Sequence, residues 1–303
     1  MGIYAEINEK IIEAIQKRPR KWIMPWNTLQ RNGYSGRIYR LINNFILGTI
    51  AYFRNYKSNL WFTPKQIERL GGKLKEGARL APVFFWKFLE VPDQELALPE
   101  DEETYYGCAF MRRKTIRILK IYIVYNFDEI EGIRVREKLL RKNEPEQKIE
   151  LAEKLLKLPE IHKYSFAFYS PIGDFIGLPP RESFALLNDF YATFLHELVH
   201  WTGHESRLNR LDLEWISKVF FEPWPERELR AMEELVAELG SAYLCAYMGI
   251  PLEELQHASY IDAWLKIFRK DKRAFFAAAA KAQQACNWLL SHFDPEFARN
   301  YKL

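Results

Sequence analysis

The chain has 303 residues, 48% hydrophobic and 28% charged, a globular composition that excludes an intrinsically disordered protein. No apolar run approaches bilayer-spanning length, the opening MGIYAEINEKIIEAIQKR lacks the apolar core of a secretory signal, and Glu6 stands where a myristoylation pattern has Ser or Thr, so no membrane partner is expected. Net charge is +4 but uneven: residues 1–90 hold 16 Lys and Arg against 6 Asp and Glu, whereas residues 151–303 hold 17 against 21, which predicts a basic front unit meeting a polyanion.

In chain order, Ile7, Ile11, Ile12 and Ile15 form the stripe of a helix over Tyr4–Lys17 that stops before Pro19. RPRKWIMPWN and NGYSGRIYRLINN read as loop and turn, followed by a helix over Asn43–Arg54. LWFT is a strand, Pro64–Leu70 a short helix, GGKLKEGAR a tight basic turn, and Pro82–Glu90 and Thr115–Phe127 are apolar strands separated by the acidic segment Pro92–Thr104. Residues Arg134–Leu158 are charged, with leucines at helical spacing interrupted at Pro145. Beyond them come strands at Tyr164–Tyr169 and Asp174–Leu178, then a helix carrying Phe184, Leu187, Phe190, Phe194, Leu195 and Val199, then three further helices through Leu290. This predicts an α+β chain: a small α+β unit at 1–133, a charged helical bridge at 134–158 and a mostly helical unit with a small sheet at 159–303. Cys108, Cys245 and Cys286 show no paired metal-ligand spacing and suit a reducing cytoplasm.

In the front, Trp22, Trp26, Tyr34, Tyr39, Tyr52, Tyr56 and Trp61 alternate with Lys21, Arg31, Arg37, Arg40, Arg54, Lys57, Lys65, Lys73 and Lys75. Flat rings stack on bases while cations follow phosphates, so this combination predicts single-stranded DNA binding, with about half of the rings expected in the core instead. Lys21, Trp22, Trp26, Arg37, Tyr39, Arg40, Trp61, Lys65, Lys73 and Lys75 are the expected contacts.

Residues 196–200 read HELVH. Two histidines four apart share one helix face and can hold one zinc ion, with Glu197 beside the metal as general base for a bound water. A surface helix bearing two unrelated histidines is the bland alternative. The motif's continuation through Gly203 fits a three-histidine pattern until Ser206, where the third histidine would stand, so the third ligand is sought on the helical stretch ELRAMEELVAELGSAYLCAYMGI. Glu234 is the expected ligand and Glu238 its support, with the swap or Glu233 as alternatives; Glu238 is flanked by Val236, Ala237, Leu239 and Ala242, where an unpaired charge is costly. The reaction class is amide hydrolysis, needing one zinc ion per chain or another divalent metal. His204, Tyr191 and Arg207 are candidates for stabilising an oxyanion, and spacing does not rank them.

Pro25–Trp26, GRIYRLIN, LWFTPKQIERLGGKLKEGARLAPVFFWK, YIVYNFDEIEG, YSPIGDFIGLPP, FLHELVHWTGHESRLNR and EELVAELGSAYL together resemble the ArdC-type antirestriction proteins, and also the N-terminal region of TraC plasmid primases. The resemblance covers nearly the whole chain and implies a single-stranded-DNA-binding domain followed by a zincin-like metallopeptidase domain, with metal on His196, His200 and a glutamate of the later helix. It implies protection of incoming plasmid or phage DNA from host restriction, and a protein substrate or restriction component as a further partner. In zincin-like folds an edge strand lies beside the active helix, and DFIGLPP is the expected candidate. Leu41 departs from the family's usual glycine, and the acidic segment after Pro92 is peculiar to this chain. Nothing after Leu303 resembles a primase catalytic domain, so priming is not expected. Two other readings stay open: a DNA-recruited metalloprotease cleaving a nucleoprotein, and a DNA-binding protein whose zinc is only structural.

Overall fold

The computed structural model describes residues 3–17, 29–92, 113–135, 146–212, 214, 227–251, 260–294 and 297. Helix α1 (Ile3–Lys17) buries Ile7, Ile11 and Ile15 on one stripe, as its spacing predicts. A four-stranded sheet follows in the order β1-β2-β5-β4, built from β1 (Arg31–Asn32), β2 (Leu60–Phe62), β4 (Ala81–Pro92) and β5 (Arg113–Asn126). The long β4–β5 pair is antiparallel from Ala81↔Val124 to Pro92↔Arg113. The expected basic turn at GGKLKEGAR instead contains β3 (Lys73–Leu74), which pairs with β6 (Ile130–Glu131) as a second, two-stranded ribbon.

Helix α2 (Leu41–Phe53) is apolar almost all round and buried from Asn43 to Ile50. Its two buried asparagines serve backbone that would otherwise lack partners. The Asn43 amide donates to Phe84 O and its oxygen accepts from Phe84 N, closing the edge of β4, while Asn44 Oδ1 accepts from Gln30 N. Helix α3 (Pro64–Arg69) starts on a reciprocal Thr63–Gln66 capping box, with Pro64 in its first turn.

In the rear, α4 (Glu146–Leu155) buries Leu151, Ala152 and Leu155. Strands β7 (Glu160–Lys163), β8 (Phe168–Ser170) and β9 (Phe175–Leu178) form a sheet ordered β7-β9-β8. This corrects the expectation for DFIGLPP. β9 is bonded on both sides, parallel to β7 and antiparallel to β8, so the sheet's edges are β7 and β8. The periodicity missed β7 because all four of its residues are exposed and carry no alternation.

Helix α5 (Leu187–Trp201) packs on this sheet, and α6 (Arg227–Met248), α7 (Ile261–Lys270) and α8 (Ala274–Phe293) complete the bundle. One contiguous hydrophobic cluster runs through α1, α2 and β4 into α4 to α8. Asn8 donates to Phe268 O of α7 at 2.8 Å, and Phe45 of α2 meets Phe275 of α8 with ring centroids 4.5 Å apart. The front and rear side chains thus share a core. The acidic segment beyond Pro92 and the Pro145 interruption lie outside the described residues.

Candidate metal centre

Helix α5 carries HELVH with His196 and Glu197 buried at 1% and 4% exposure. Helix α6 faces it with Glu233, Glu234 and Glu238, all buried. The close approach of the two helices is permitted at Gly240, where a Cβ would come within 2.8 Å of Val199.

Three donor side chains converge between the helices. Ligand atoms of His196, His200 and Glu234 all lie within 4.8 Å of one another, the one such group of three or more His, Cys, Asp or Glu among the described residues. Glu234 Oε2 is 3.4 Å from His196 Nε2 and 3.6 Å from His200 Nε2. Nitrogen and oxygen atoms held tetrahedrally at zinc-ligand distance from one ion are about 3.4 Å apart. The set has the spacing, as well as the donor chemistry, that a divalent cation requires.

A charged group stands behind each member of the trio. His200 Nδ1 lies 3.3 Å from Glu233 Oε1. A carboxylate only accepts, so Nδ1 carries a proton, which leaves Nε2 as the nitrogen available to a metal ion. His196 Nδ1 lies 4.0 Å from Glu238 Oε1, and the Arg230 guanidinium lies 3.9 Å from the outer oxygen of Glu234. The Tyr260 phenol lies near Glu234, and burial together with that carboxylate's charge raises its pKa.

The field of this pocket favours positive charge. Burial opposes ionisation of Glu233, but Arg210 and His200 outweigh it and bring its pKa down to about 2. Glu234 is likewise held well below the carboxylate range against its burial, chiefly by the two imidazoles. Burial disfavours a charged His200, yet hydrogen bonds and charges from Glu233 and Glu234 push its pKa up to about 10. The carboxylates therefore stabilise a cation between them, whether a proton or a metal ion.

Sequence reasoning brought Glu233, Glu234 and Glu238 to the right helix, yet missed that Glu233 reaches the second histidine while Glu238 approaches the first. It also missed Arg210, Arg230 and Tyr260, which lie in a loop, at the start of a helix and immediately before another, without periodic signal. The three oxyanion candidates are engaged elsewhere. Tyr191 is 1% exposed with its hydroxyl on Glu153; Arg207 stacks 3.7 Å from the Trp201 ring centroid and pairs with Asp174; His204 Nδ1 lies 2.9 Å from Ser206 Oγ.

Among the expected DNA contacts, Lys21, Trp22 and Trp26 lie outside the described residues. Arg37, Arg40, Lys65, Lys73 and Lys75 are exposed. Two rings need correcting: Trp61 is 0% and Tyr39 7% exposed, so neither presents a face for stacking. Trp61 fills the core and donates its Nε1 to Gln30 Oε1 at 2.7 Å, while burial pushes the Tyr39 phenol up to about 12. The large rings that do face solvent in the described front are Tyr34, Phe53, Phe85 and Tyr122, at 40%, 40%, 43% and 46%.

Residues 1–125 match the family model for the N-terminal domain of anti-restriction factor ArdC, and residues 152–281 match that for a zincin-like metallopeptidase. The structure superposes on the metal-free crystal structure of antirestriction ArdC from plasmid R388 with a TM-score of 0.75, at 31% identity and covering 99% of both chains. This chain belongs to the ArdC antirestriction family. The Mn(II)-bound structure of the same R388 ArdC gives a TM-score of 0.73 at 30% identity, covering 99% of this chain and 100% of that one. Another relative of this ArdC-family chain, the uncharacterized protein y4eC of Sinorhizobium fredii, is 32% identical, covering 95% of this chain and 91% of its own length. A DNA primase TraC of Escherichia coli is 29% identical across 95% of this chain, which spans only 27% of that primase. No described helix is long and apolar enough to cross a membrane.

Proposed function

We propose that this ArdC-family protein holds one zinc ion on His196, His200 and Glu234, hydrolyses a peptide bond there, and binds single-stranded DNA through its basic front, in the service of protecting incoming DNA from restriction. The observation that carries the metal reading is the pair of 3.4 and 3.6 Å separations between Glu234 Oε2 and the two imidazole nitrogens. That the R388 relative has an Mn(II)-bound structure supports the binding of a divalent ion by this fold.

Held by His196, His200 and Glu234, zinc would supply Lewis acidity, which would make a water at the site easier to deprotonate near neutral pH. Glu197, beside His196 on the buried helix face, accepts the water proton and delivers it to the departing amine. Glu233 and Glu238 keep the imidazoles oriented, and Arg230 and Tyr260 hold the outer side of Glu234.

DNA binding is supported by the net excess of cations in residues 1–90 and by the exposed Tyr34, with the Arg69 guanidinium 5.8 Å from its ring centroid. The decisive experiment is metal analysis of the purified chain alongside a peptidase assay and a restriction-protection assay of Glu197→Gln. Protection that vanishes with turnover places hydrolysis in the function, whereas protection that survives assigns it to DNA binding. A chain that takes up no divalent metal overturns the catalytic half.

A further inference from the structure

We infer that Arg210 is a positioning residue of the metal centre, delivered by the loop after α5 to hold Glu233 against His200; this rests on the metal reading above. The loop turns back at Gly203. A Cβ there would lie 2.9 Å from His200 O, 2.9 Å from Leu211 Cγ and 3.1 Å from Arg210 Nη2, so a side chain would force the returning segment away. Gly203 O accepts from both Arg210 N and Leu211 N at 2.8 Å, which fixes the return.

The return buries the Arg210 side chain to 4% exposure. Its Nη2 is 2.9 Å from Glu233 Oε1 and its Nε 3.3 Å from Glu233 Oε2, so the guanidinium fork holds both carboxylate oxygens. The same group donates to Val199 O at 2.7 Å and Thr202 Oγ1 at 3.0 Å, tying the carboxylate to the end of the motif helix. Glu233 Oε1 is also the atom facing His200 Nδ1, and the opposite ring nitrogen faces Glu234. Arg210 thereby fixes, through one carboxylate, which nitrogen of His200 is offered to the metal. A buried Glu233 deprived of its cation loses that fixed position, because an unpaired buried charge is strongly disfavoured.

Arg210 also caps α5, so the test must separate capping from orientation. Zinc dissociation constants are measured on the full chain by competition with a chromophoric chelator, for wild type, Arg210→Met, Glu233→Gln and the double variant. The protonation of the two His200 ring nitrogens is read by long-range proton–nitrogen NMR on the zinc-loaded proteins, where the metal occupies one nitrogen and the other keeps its proton. Each single change is expected to weaken zinc binding about 10- to 100-fold, the double no more than about twofold beyond the weaker single, and both singles to lose the Nδ1-protonated signature of His200. Arg210→Lys, which keeps charge without the fork, should recover part of the affinity. Unchanged affinity and ring signature in Arg210→Met, or additive losses in the double variant, overturn the assignment. If Arg210→Met does not fold, Glu233→Gln decides, and wild-type affinity with a wild-type ring signature refutes it. A wild-type chain without zinc affinity fails the metal reading itself and takes this inference with it; tight wild-type binding matched by the variants defeats the Arg210 role alone.

Discussion

Gly240 of α6 lies against Val199 of α5, where a Cβ would fall 2.8 Å from Val199 Cγ2 and 3.0 Å from Cγ1. A branched valine two bonds from its backbone has little freedom to give way. The missing side chain lets α6 approach close enough for its carboxylates to meet the imidazoles of α5. Gly240→Ala gains about 1 kcal/mol of helix propensity but meets an overpacking cost of about 1 to 3 kcal/mol. The expected outcome is a net loss of stability in chemical denaturation, relieved by adding Val199→Ala. Stability at or above wild type in the single variant would show that the helices have room to part.

The roles of the two buried carboxylates Glu234 and Glu238 differ in kind, and metal titration should rank them. Glu234→Ala removes an oxygen that faces both imidazole nitrogens, so stoichiometric zinc should be lost. Glu238→Ala removes a group 4.0 Å behind His196, so affinity should fall about 10- to 100-fold with stoichiometry intact. Equal losses, or the reverse order, would exchange the two assignments.

Glu197→Gln keeps size and removes only basicity. Zinc content should match wild type while peptide turnover falls about 10²- to 10⁴-fold, the span of general acid–base catalysis. Loss of metal together with activity would instead make Glu197 part of the binding set.

Where the sequence was legible, the reason was repetition. The isoleucine stripe of α1 and the aromatic stripe of α5 recur often enough to fix period and face, and HELVH inherits its geometry from the latter. Helical spacing placed Glu234 and Glu238 on one face, but could not tell that adjacent Glu233 would reach the other histidine. Arg210 was illegible because its position depends on a chain reversal at Gly203 and on hydrogen bonds to a helix end. β1, β3 and β6 have two residues each, too few to show a period. Trp61 looked like a DNA-stacking ring because composition carries no burial: every residue of LWF is buried, so the strand has no wet face to reveal by alternation.

Acid should weaken the tie between the β8–β9 turn and the loop after α5. Burial alone would raise the Asp174 pKa, but Arg207 and Tyr169 lower it overall. A depressed folded-state pKa means that the stabilisation is present above the unfolded value, about 3.9, and disappears as pH falls through the folded one. Metal-free wild type should therefore lose stability on acidification below about pH 4 more steeply than Asp174→Asn, measured by denaturant midpoints. Parallel curves would remove Asp174 from the acid response.

DNA binding gives the remaining test, and burial decides which substitutions are informative. Trp61→Ala empties a fully buried site and should destabilise the fold by about 3 to 5 kcal/mol, so any loss of DNA affinity there would report unfolding. Tyr34 and Tyr122 are 40% and 46% exposed, and their removal leaves no core cavity. If bases stack on them, Tyr34→Ala and Tyr122→Ala should each weaken single-strand binding by about 1 to 3 kcal/mol with little change in denaturant midpoint. Arg37→Ala and Lys65→Ala, at exposed cations, should instead flatten the dependence of affinity on salt, by about 0.7 in the log–log slope for each phosphate that is no longer neutralised. The whole chain is the proper sample, because Phe45 and Asn8 of the front pack into the rear helices. Affinity that is indifferent to salt and equal for single and double strands would remove DNA from the list of partners.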